Sequence, residues 1–216
     1  MTTSAIVVAG GSGRRFGGPK QFAVLGAATV ASHSVLACRS VADEVILVAP
    51  QGMHTDTHGA DRVVQGGATR SASVRAGLSV VDAECDVVIV HDAARPLASE
   101  RLFLAVVAEL ADDTVAGAIC GREVTDTIKR VAEIDGRRRV TDTLERAELV
   151  AIQTPQAFRR SVLETAHRDQ AEATDDAALV ELIGGVVVVV PGEEHNIKIT
   201  SPADLGEAER LLAGHP

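Results

Sequence analysis

A glycine-rich segment directly after a short apolar run is the clearest candidate for chemistry in this sequence. Residues 4–9 (SAIVVA) are apolar and lead into residues 10–13 (GGSG), and basic side chains follow at Arg14 and Lys20. Glycines let the main chain approach a ligand closely, and clustered N–H groups suit phosphate oxygens. Arg14 and Lys20 add the positive charge that a polyphosphate needs. We therefore predict that residues 6–20 form the phosphate-binding loop of a nucleotide-using enzyme.

Two well-known nucleotide-binding motifs do not fit this loop. The Walker pattern requires Ser or Thr after its lysine, but Lys20 is followed by Gln21. The dinucleotide fingerprint has Phe16 in place of its last glycine, and the chain has no Tyr to act as the acid of a short-chain dehydrogenase. For the loop alone, a plain glycine turn with surface Arg and Lys remains the alternative interpretation.

Predicted strands and helices alternate along most of the chain and would position this loop. The strands are predicted at residues 4–9, 44–49, 62–65, 86–90, 114–119 and 186–190. The helices are predicted at residues 30–38, 69–80, 102–110, 159–167, 175–183 and 202–212, with Thr174 and Ser201 capping the last two. The alternation predicts an α/β fold with a doubly wound, mostly parallel sheet, of the Rossmann-like nucleotidyltransferase kind. Ligands bind such sheets at the carboxyl ends of the strands.

The alternation is interrupted between residues 123 and 150. Segments 125–131 and 139–144 flank Asp135 and Gly136, a dipeptide typical of hairpin turns. We predict a single domain over residues 1–216, from which a β-arm at about 123–150 projects. A two-stranded arm is only marginally stable alone, so we expect it to pack on a second subunit in a homodimer.

The composition narrows the classes of partner and compartment. Aromatic residues make up only 2% of the chain, which suits a parallel sheet buried by Val, Ala, Leu and Ile. The net charge of -9 argues against nucleic acid and anionic lipid as partners. Cys38, Cys85 and Cys120 are far apart and odd in number, which argues against a disulfide framework and a zinc site. Without a signal sequence or a membrane-spanning stretch, we expect a cytoplasmic protein with no membrane partner.

Residues 9–21 (AGGSGRRFGGPKQ), taken whole, resemble the signature loop of sugar-nucleotide-type nucleotidyltransferases. More distant segments narrow the resemblance. They are Gly66 and Gly67 with Arg70 and Ser73, then residues 91–96 (HDAARP), 126–129 (DTIK), 154–156 (TPQ), 174–175 (TD) and 196–200 (NIKIT). This ordered set, spread along nearly the whole chain, is similar to that of the 2-C-methyl-D-erythritol 4-phosphate cytidylyltransferases of the non-mevalonate isoprenoid pathway.

The resemblance implies that CTP and 2-C-methyl-D-erythritol 4-phosphate are converted to the CDP-alcohol and pyrophosphate, with Mg²⁺. A phosphate monoester has its second pKa near ~6, so at neutral pH it is largely a dianion and needs no general base. The protein must bring two polyanions together and neutralise the charge that develops on the α-phosphate and the leaving pyrophosphate.

The resemblance also implies roles for individual residues. The catalytic residues would be Arg14, Lys20, Asp92 and Lys198, and Asp92 would also bind Mg²⁺. The nucleotide-binding residues would be Ala9, Gly10, Gly11, Gly13, Gly67, Ala68 and Ser73. The residues around the sugar phosphate would be Arg95, Thr127, Thr154 and Arg146, the last reaching into the site of the partner in a homodimer.

Structural roles are the alternatives for several of these residues. They are a turn cap for Asp92, an ion pair with Glu100 for Arg95, an outward-pointing strand position for Lys198, an ordinary strand position for Thr127 and an ion pair with Glu145 or Glu148 for Arg146. For His91 and Asp175 the structural role is the expected one, as a residue packed under the loop and as a helix cap.

Some positions depart from the family pattern and leave the acceptor open. Val8 stands where the family usually has Pro, and Gly10, Ala68 and Glu145 replace other usual residues. The Gly-Gly version of the loop also occurs in ribitol-5-phosphate cytidylyltransferases, so ribitol 5-phosphate is the alternative acceptor. A non-catalytic nucleotide-binding module is the alternative of another class, although such a protein would not need to retain Arg14, Lys20, Asp92 and Lys198 together.

Overall fold

The computed structural model describes residues 1–11, 13, 15–53 and 57–214. The strands are β1 (Thr3–Val8), β2 (Val24–Leu25), β3 (Ala28–Thr29), β4 (Glu44–Ala49), β5 (Arg62–Gln65), β6 (Val87–Asp92), β7 (Gly117–Glu123), β8 (Lys129–Ile134), β9 (Arg137–Thr143), β10 (Val150–Arg159) and β11 (Val187–Pro191). The helices are α1 (Val30–Arg39), α2 (Arg70–Leu78), α3 (Glu100–Ala108), α4 (Arg160–Ala166), α5 (Asp176–Leu182) and α6 (Pro202–Ala213). Among the described residues, no helix has both the length and the apolar character needed to cross a membrane.

Seven strands form one sheet in the order β11-β7-β10-β6-β1-β4-β5. Strand β1 runs parallel to its neighbours β4 and β6, and the edge strands β5 and β11 are also parallel to their partners. Only β10 is antiparallel, to both β6 and β7. Helices cover both faces, so the predicted α/β class with a doubly wound, mostly parallel sheet is confirmed.

The apolar run of β1 is continuous because both faces of this strand are buried. Ala5 and Val7 pack in the apolar cluster on the side of α1 and α3, whereas Ile6 packs in the cluster on the opposite side, with α2, α4 and α5. Helix α2 lies very close to β1, since a Cβ on Gly77 would be 2.6 Å from a methyl carbon of Ile6. This packing holds the N-terminus of α2, with Arg70, beside the carboxyl edge of the sheet.

Several local features differ from the sequence-based predictions. The short strands β2 and β3 were not predicted, and β7 covers Gly117–Glu123 instead of residues 114–119. Strand β10 was not predicted, because proline has no N–H for a ladder and argues against a central strand; Pro155 lies where the pairing of β10 with β7 shifts register, between Gln153 and Gln156. The prediction that Thr174 caps α5 was wrong. Asp175 is the cap, and its Oδ1 accepts the N–H of Ala178 at 3.1 Å.

The predicted β-arm is present as the hairpin of β8 and β9, a two-stranded sheet separate from the main one. Asp135 and Gly136 at its turn have φ angles of 52° and 69°, the left-handed values that tight hairpin turns need. Most of the hairpin is exposed in the single chain, including the apolar side chain of Val140. The packing of this arm on a second subunit stays a prediction.

Candidate functional site

A cleft of ≈ 530 Å³, here called the first cleft, opens at the carboxyl edge of the sheet beside β1 and β6. All seven predicted nucleotide-binding residues line it, and so do three of the four predicted catalytic residues. These lining residues are Ala9, Gly10, Gly11, Gly13, Gly67, Ala68 and Ser73, with Lys20, Asp92 and Lys198. The fourth predicted catalytic residue, Arg14, lies outside the described residues.

The loop after β1 depends on glycine at position 13. Gly13 has φ of 61°, and a Cβ there would overlap the carbonyl oxygen of Gly18. The carbonyl of Gly13 accepts the N–H groups of Phe16 and Gly17 at 2.9 and 3.0 Å. The glycine therefore allows the loop to fold back on itself and to present main-chain atoms to the cleft.

Gln21 holds the same loop from behind, and the sequence analysis gave it no role. Its Nε2 donates to the carbonyl oxygens of Ala9 at 2.6 Å and Gly11 at 3.1 Å, and the residue is buried. A buried side-chain amide normally requires such partners. Gln21 thus fixes the loop's main chain, and its position directly after Lys20 was the only sequence signal for this function.

The opposite wall of the first cleft is also made of closely packed main chain. The Oγ of Ser73 donates to the carbonyl of Thr69 at 2.9 Å. A Cβ on either Gly10 or Gly66 would lie 2.9 Å from the Oγ of Ser73. A Cβ on Gly67 would overlap that of Ala72. Side chains at these three glycines would therefore displace their neighbours, and the two that line the cleft, Gly10 and Gly67, present backbone atoms to it.

Asp92, the last residue of β6, is held between two cations. Its Oδ2 lies 2.6 Å from Nζ of Lys198, and its Oδ1 lies 3.3 Å from Nε of Arg70. Burial opposes ionisation of this carboxyl group, but the positive charges of Arg70 and Lys198 outweigh burial and hold its pKa below the ordinary value. Asp92 is therefore ionised at neutral pH. Its carboxylate makes no main-chain hydrogen bond to the described residues, so it is not acting as a turn cap there.

The donor set in the first cleft fits a divalent cation that arrives with phosphates. No group of three or more His, Cys, Asp and Glu side chains able to hold a metal occurs in the described part of the chain. Asp92 is the one carboxylate among the described residues that line this cleft, and substrate phosphates and water would complete a magnesium shell. Since both oxygens of Asp92 are already paired with cations, a metal ion would have to share one of them with Arg70 or Lys198.

Thr154 and His91 support Asp92 from inside the protein. The N–H of Asp92 donates to Oγ1 of Thr154 at 3.0 Å, and this oxygen lies 3.2 Å from Nδ1 of His91. The other ring nitrogen lies 3.1 Å from the carbonyl oxygen of Arg95, which can only accept, so we assign the ring proton to Nε2. Burial lowers the pKa of His91 to about 4, which keeps the ring neutral.

The predicted structural role of His91 is thus confirmed, and Thr154 has a role that the sequence did not suggest. The Thr154 hydroxyl is buried and turned towards Asp92 and His91, and Thr154 lines neither of the clefts described for this chain. A contact between Thr154 and the sugar phosphate stays a prediction.

A second cleft of ≈ 500 Å³ lies between the base of the arm, β10 and the segment before α6. Its lining residues include Arg95, Arg122, Asp126, Gln153, Asn196 and Lys198. Arg95 donates to the carbonyl oxygens of Asn196 at 2.7 Å and Ile152 at 3.4 Å, and no described carboxylate forms an ion pair with it, so the proposed pair with Glu100 is not present. Lys198 borders both clefts and is therefore the side chain that joins them.

Thr127 and Arg146 lie near the second cleft but do not line it. Thr127 is exposed in the segment between β7 and β8, among residues that do line the cleft. Arg146 lies in a short 3₁₀ turn, where its guanidinium donates to the carbonyl of Thr125 at 2.7 Å. No ion pair with Glu145 or Glu148 is present among the described residues. The contribution of Arg146 to a partner's site stays a prediction.

A buried charge network behind the first cleft was missed by the sequence analysis. Arg70 Nη1 donates to Oδ2 of Asp176 at 2.6 Å, and Nε2 of His167 lies 3.0 Å from Oδ1 of the same carboxylate. Burial opposes ionisation of Asp176, but the hydrogen bond with His167 and the charge of Arg70 lower its pKa overall. Asp175, beside it, accepts from Gln156 at 3.2 Å and caps α5, as expected. In the sequence, the only signal for this network was Arg70, which belongs to the segments that resemble the family.

Comparison with known proteins identifies one family along the chain. Residues 3–214 match the sequence profile of the family described as IspD: 2-C-methyl-D-erythritol 4-phosphate cytidylyltransferase. A curated protein of that name from Aquifex aeolicus is 40% identical over 215 residues, which cover 97% of each chain. A solved structure of that name from Thermus thermophilus is 33% identical, covers 99% of this chain and 100% of the other, and has a TM-score of 0.83.

Other relatives are longer than this chain. A protein of Anaeromyxobacter sp. named "Bifunctional enzyme IspD/IspF" is 43% identical over 223 residues, which cover 97% of this chain but only 57% of the relative. A solved bifunctional structure from Campylobacter jejuni is 26% identical, and the match covers 54% of it. This chain therefore spans little more than half the length of its bifunctional relatives.

Proposed function

The chain belongs to the 2-C-methyl-D-erythritol 4-phosphate cytidylyltransferase family, and from that premise we propose that it joins CTP to 2-C-methyl-D-erythritol 4-phosphate. The products are 4-diphosphocytidyl-2-C-methyl-D-erythritol and pyrophosphate, a step of non-mevalonate isoprenoid biosynthesis. The observation that carries this proposal is the position of Lys198. Its ammonium group lies 2.6 Å from Asp92 and borders both clefts, so a nucleotide phosphate and an acceptor phosphate can meet at one cation.

The first cleft suits CTP because cations crowd there before any anion arrives. Burial lowers the pKa of Lys20, and the nearby charges of Lys198 and Arg15 lower it further. A triphosphate would relieve this repulsion, which supports the proposal that CTP binds here. Lys20, together with Arg14, would stabilise the charge on the α-phosphate and on the leaving pyrophosphate. The glycine loop and the Gly67 wall would surround the nucleoside with main-chain atoms.

The second cleft suits the acceptor. Arg95 faces it without an ion pair to a carboxylate among the described residues. Arg122, 4.0 Å from Glu194, adds a further cation, and Asp126 can accept hydrogen bonds from hydroxyl groups. The acceptor phosphate is a dianion near neutral pH and attacks the α-phosphorus directly, with pyrophosphate leaving on the opposite side. The protein supplies position and charge, and no described residue has to remove a proton.

We further propose Mg²⁺, held by Asp92 and the nucleotide phosphates, as the divalent cation of this site. When bound, it would neutralise phosphate charge in the transition state. The dimer that we propose would use the arm, whose apolar side chains of Val131, Ile134 and Val140 are exposed, and would take Arg146 towards the partner's second cleft. The three free cysteines support a cytoplasmic enzyme, and the net charge of -9 argues against a nucleic-acid partner.

Release of pyrophosphate from CTP tests the proposal. Parallel reactions would contain 2-C-methyl-D-erythritol 4-phosphate, ribitol 5-phosphate or no acceptor, each with CTP and, as a matched control, with ATP. We expect release only with CTP and the methylerythritol phosphate. Release only with ribitol phosphate would replace the acceptor and keep the chemistry. No release with any acceptor, despite CTP binding, would indicate the non-catalytic module.

A further inference from the structure

Two arginines of α2 link this helix to the region between α4 and the first residue of α5, but only the link made by Arg70 continues into the first cleft. Arg75 donates to the carbonyl of Ala171 at 3.1 Å and to the carboxylate of Glu172 at 2.8 Å, at the protein surface. Arg70 donates to Asp176, which is completely buried, and also to Asp92. Arg70 therefore links the buried carboxylate of Asp176 to the carboxylate of Asp92 in the first cleft.

The guanidinium of Arg70 is divided unequally between its two carboxylates. Its contact with Asp176 is 2.6 Å long, whereas its contact with Asp92 is 3.3 Å long. Asp176 cannot turn to solvent, so its charge must be satisfied by Arg70 and by the ring of His167 at 3.0 Å. Asp92, by contrast, has Lys198 at 2.6 Å as a closer partner. Arg70 is thus anchored mainly on Asp176, and its hold on Asp92 is the looser one.

We propose that Asp176, held by His167, is a positioning residue that keeps Arg70 from closing fully on Asp92 and so sets the Mg²⁺ concentration that the nucleotide site requires. The inference rests on the proposed function in that CTP is the nucleotide and Asp92 the metal ligand. Because Arg70 and a divalent cation attract the same oxygens of Asp92, whatever weakens the Arg70–Asp176 pair strengthens the competitor of the metal. The strength of the Arg70–Asp176 pair behind the first cleft therefore determines the affinity of the cleft for Mg²⁺.

Binding of CTP in the absence of acceptor tests this without turnover. Titration calorimetry at a series of free Mg²⁺ concentrations would measure CTP affinity for each variant. The half-effect Mg²⁺ concentration is the one at which Mg²⁺ has produced half of its full increase in CTP affinity. In Asp176→Asn the amide keeps the size of the side chain and loses its charge, so Arg70 should move to Asp92. We expect the half-effect Mg²⁺ concentration to rise about tenfold, which corresponds to the free energy of one charge-assisted hydrogen bond.

Glu172→Gln is the matched control, because it removes a carboxylate charge from the other link of α2, which joins Arg75 to the connection between α4 and α5. Its Mg²⁺ dependence should equal that of the parent protein. An unchanged Mg²⁺ dependence in folded Asp176→Asn would overturn the proposal, and so would an equal rise in Glu172→Gln. Thermal melting followed by circular dichroism would show that each variant is folded.

The double variant Arg70→Met/Asp176→Asn keeps the test decisive if Asp176→Asn alone does not fold, since it leaves no unpaired charge of this pair. Because the competing guanidinium is absent, the half-effect Mg²⁺ concentration of this variant should be equal to or lower than that of the parent. A rise would show that the effect does not depend on Arg70 and would overturn the proposal. If Mg²⁺ does not tighten CTP binding in the parent, this inference fails while the proposed activity can still stand. A parent protein that does not bind CTP at all would contradict the proposed function itself.

Discussion

The first and second clefts share Lys198 but are built in different ways. The first is walled by the main chain of the glycine loop and of Gly67 and Ala68, held in place by buried side chains such as Gln21 and Ser73. The second is walled largely by side chains, and one of its sides is the base of an exposed arm. The first cleft is therefore organised by the sheet of one chain. The shape of the second cleft depends on the position of the arm, and the arm is the part that we propose packs on a second subunit.

The largest effect is expected from Lys20→Ala, which removes a cation from the first cleft. We expect kcat/KM to fall by about 10³-fold, as when one group that stabilises transition-state charge is lost. The melting temperature should not fall, because the Lys20 ammonium makes no hydrogen bond with the described residues. Steady-state kinetics and thermal melting would measure both. Lys20→Arg, which keeps the charge, should lose less, and near-normal turnover in Lys20→Ala would remove this residue from the transition state.

Mixed dimers test whether the second cleft is shared between subunits. If Arg146 acts in its partner's site, mixing inactive Lys20→Ala and Arg146→Ala chains should restore about a quarter of the parent activity, since half of the dimers are mixed and each has one intact site. The measurement is turnover after refolding the two variants together. Lys20→Ala mixed with Asp92→Asn is the matched control and should recover nothing, because both residues belong to the first cleft of one chain. Absence of recovery with Arg146→Ala as well would place Arg146 in its own chain's site.

A smaller effect is expected from Thr154→Val, which leaves the shape of the side chain and removes its hydroxyl. The N–H of Asp92 and Nδ1 of His91 would lose their shared partner, at a cost of about 1–3 kcal/mol. We expect roughly a tenfold loss of kcat, a lower melting temperature and little change in the KM for CTP. Thr154→Ser keeps the hydroxyl and should behave like the parent. Equal kinetics for Val and Ser would show that the hydroxyl does not position Asp92.

The first cleft was predictable from the sequence because most of its parts are local. The glycines and Lys20 follow one another directly after an apolar strand, and the end of β6 is marked by the polar residues 91–92. The function of Gln21 behind the loop was not predicted. The Arg70–Asp176 contact was not predictable, since it joins residues 106 positions apart and follows from the packing of α2 and α5 on the same face. Strand β10 was missed because Pro155 interrupts the pattern that identifies a central strand.

The backbone wall of the first cleft has a consequence for inhibitors that occupy this cleft. A compound that contacts only main-chain atoms around Gly10 and Gly67 touches positions where an added side chain collides with Ser73 or Ala72. A single codon change that blocks such a compound would also disturb the packing between the loop and α2. Resistance should therefore arise more readily against compounds that rely on the side chains of the second cleft.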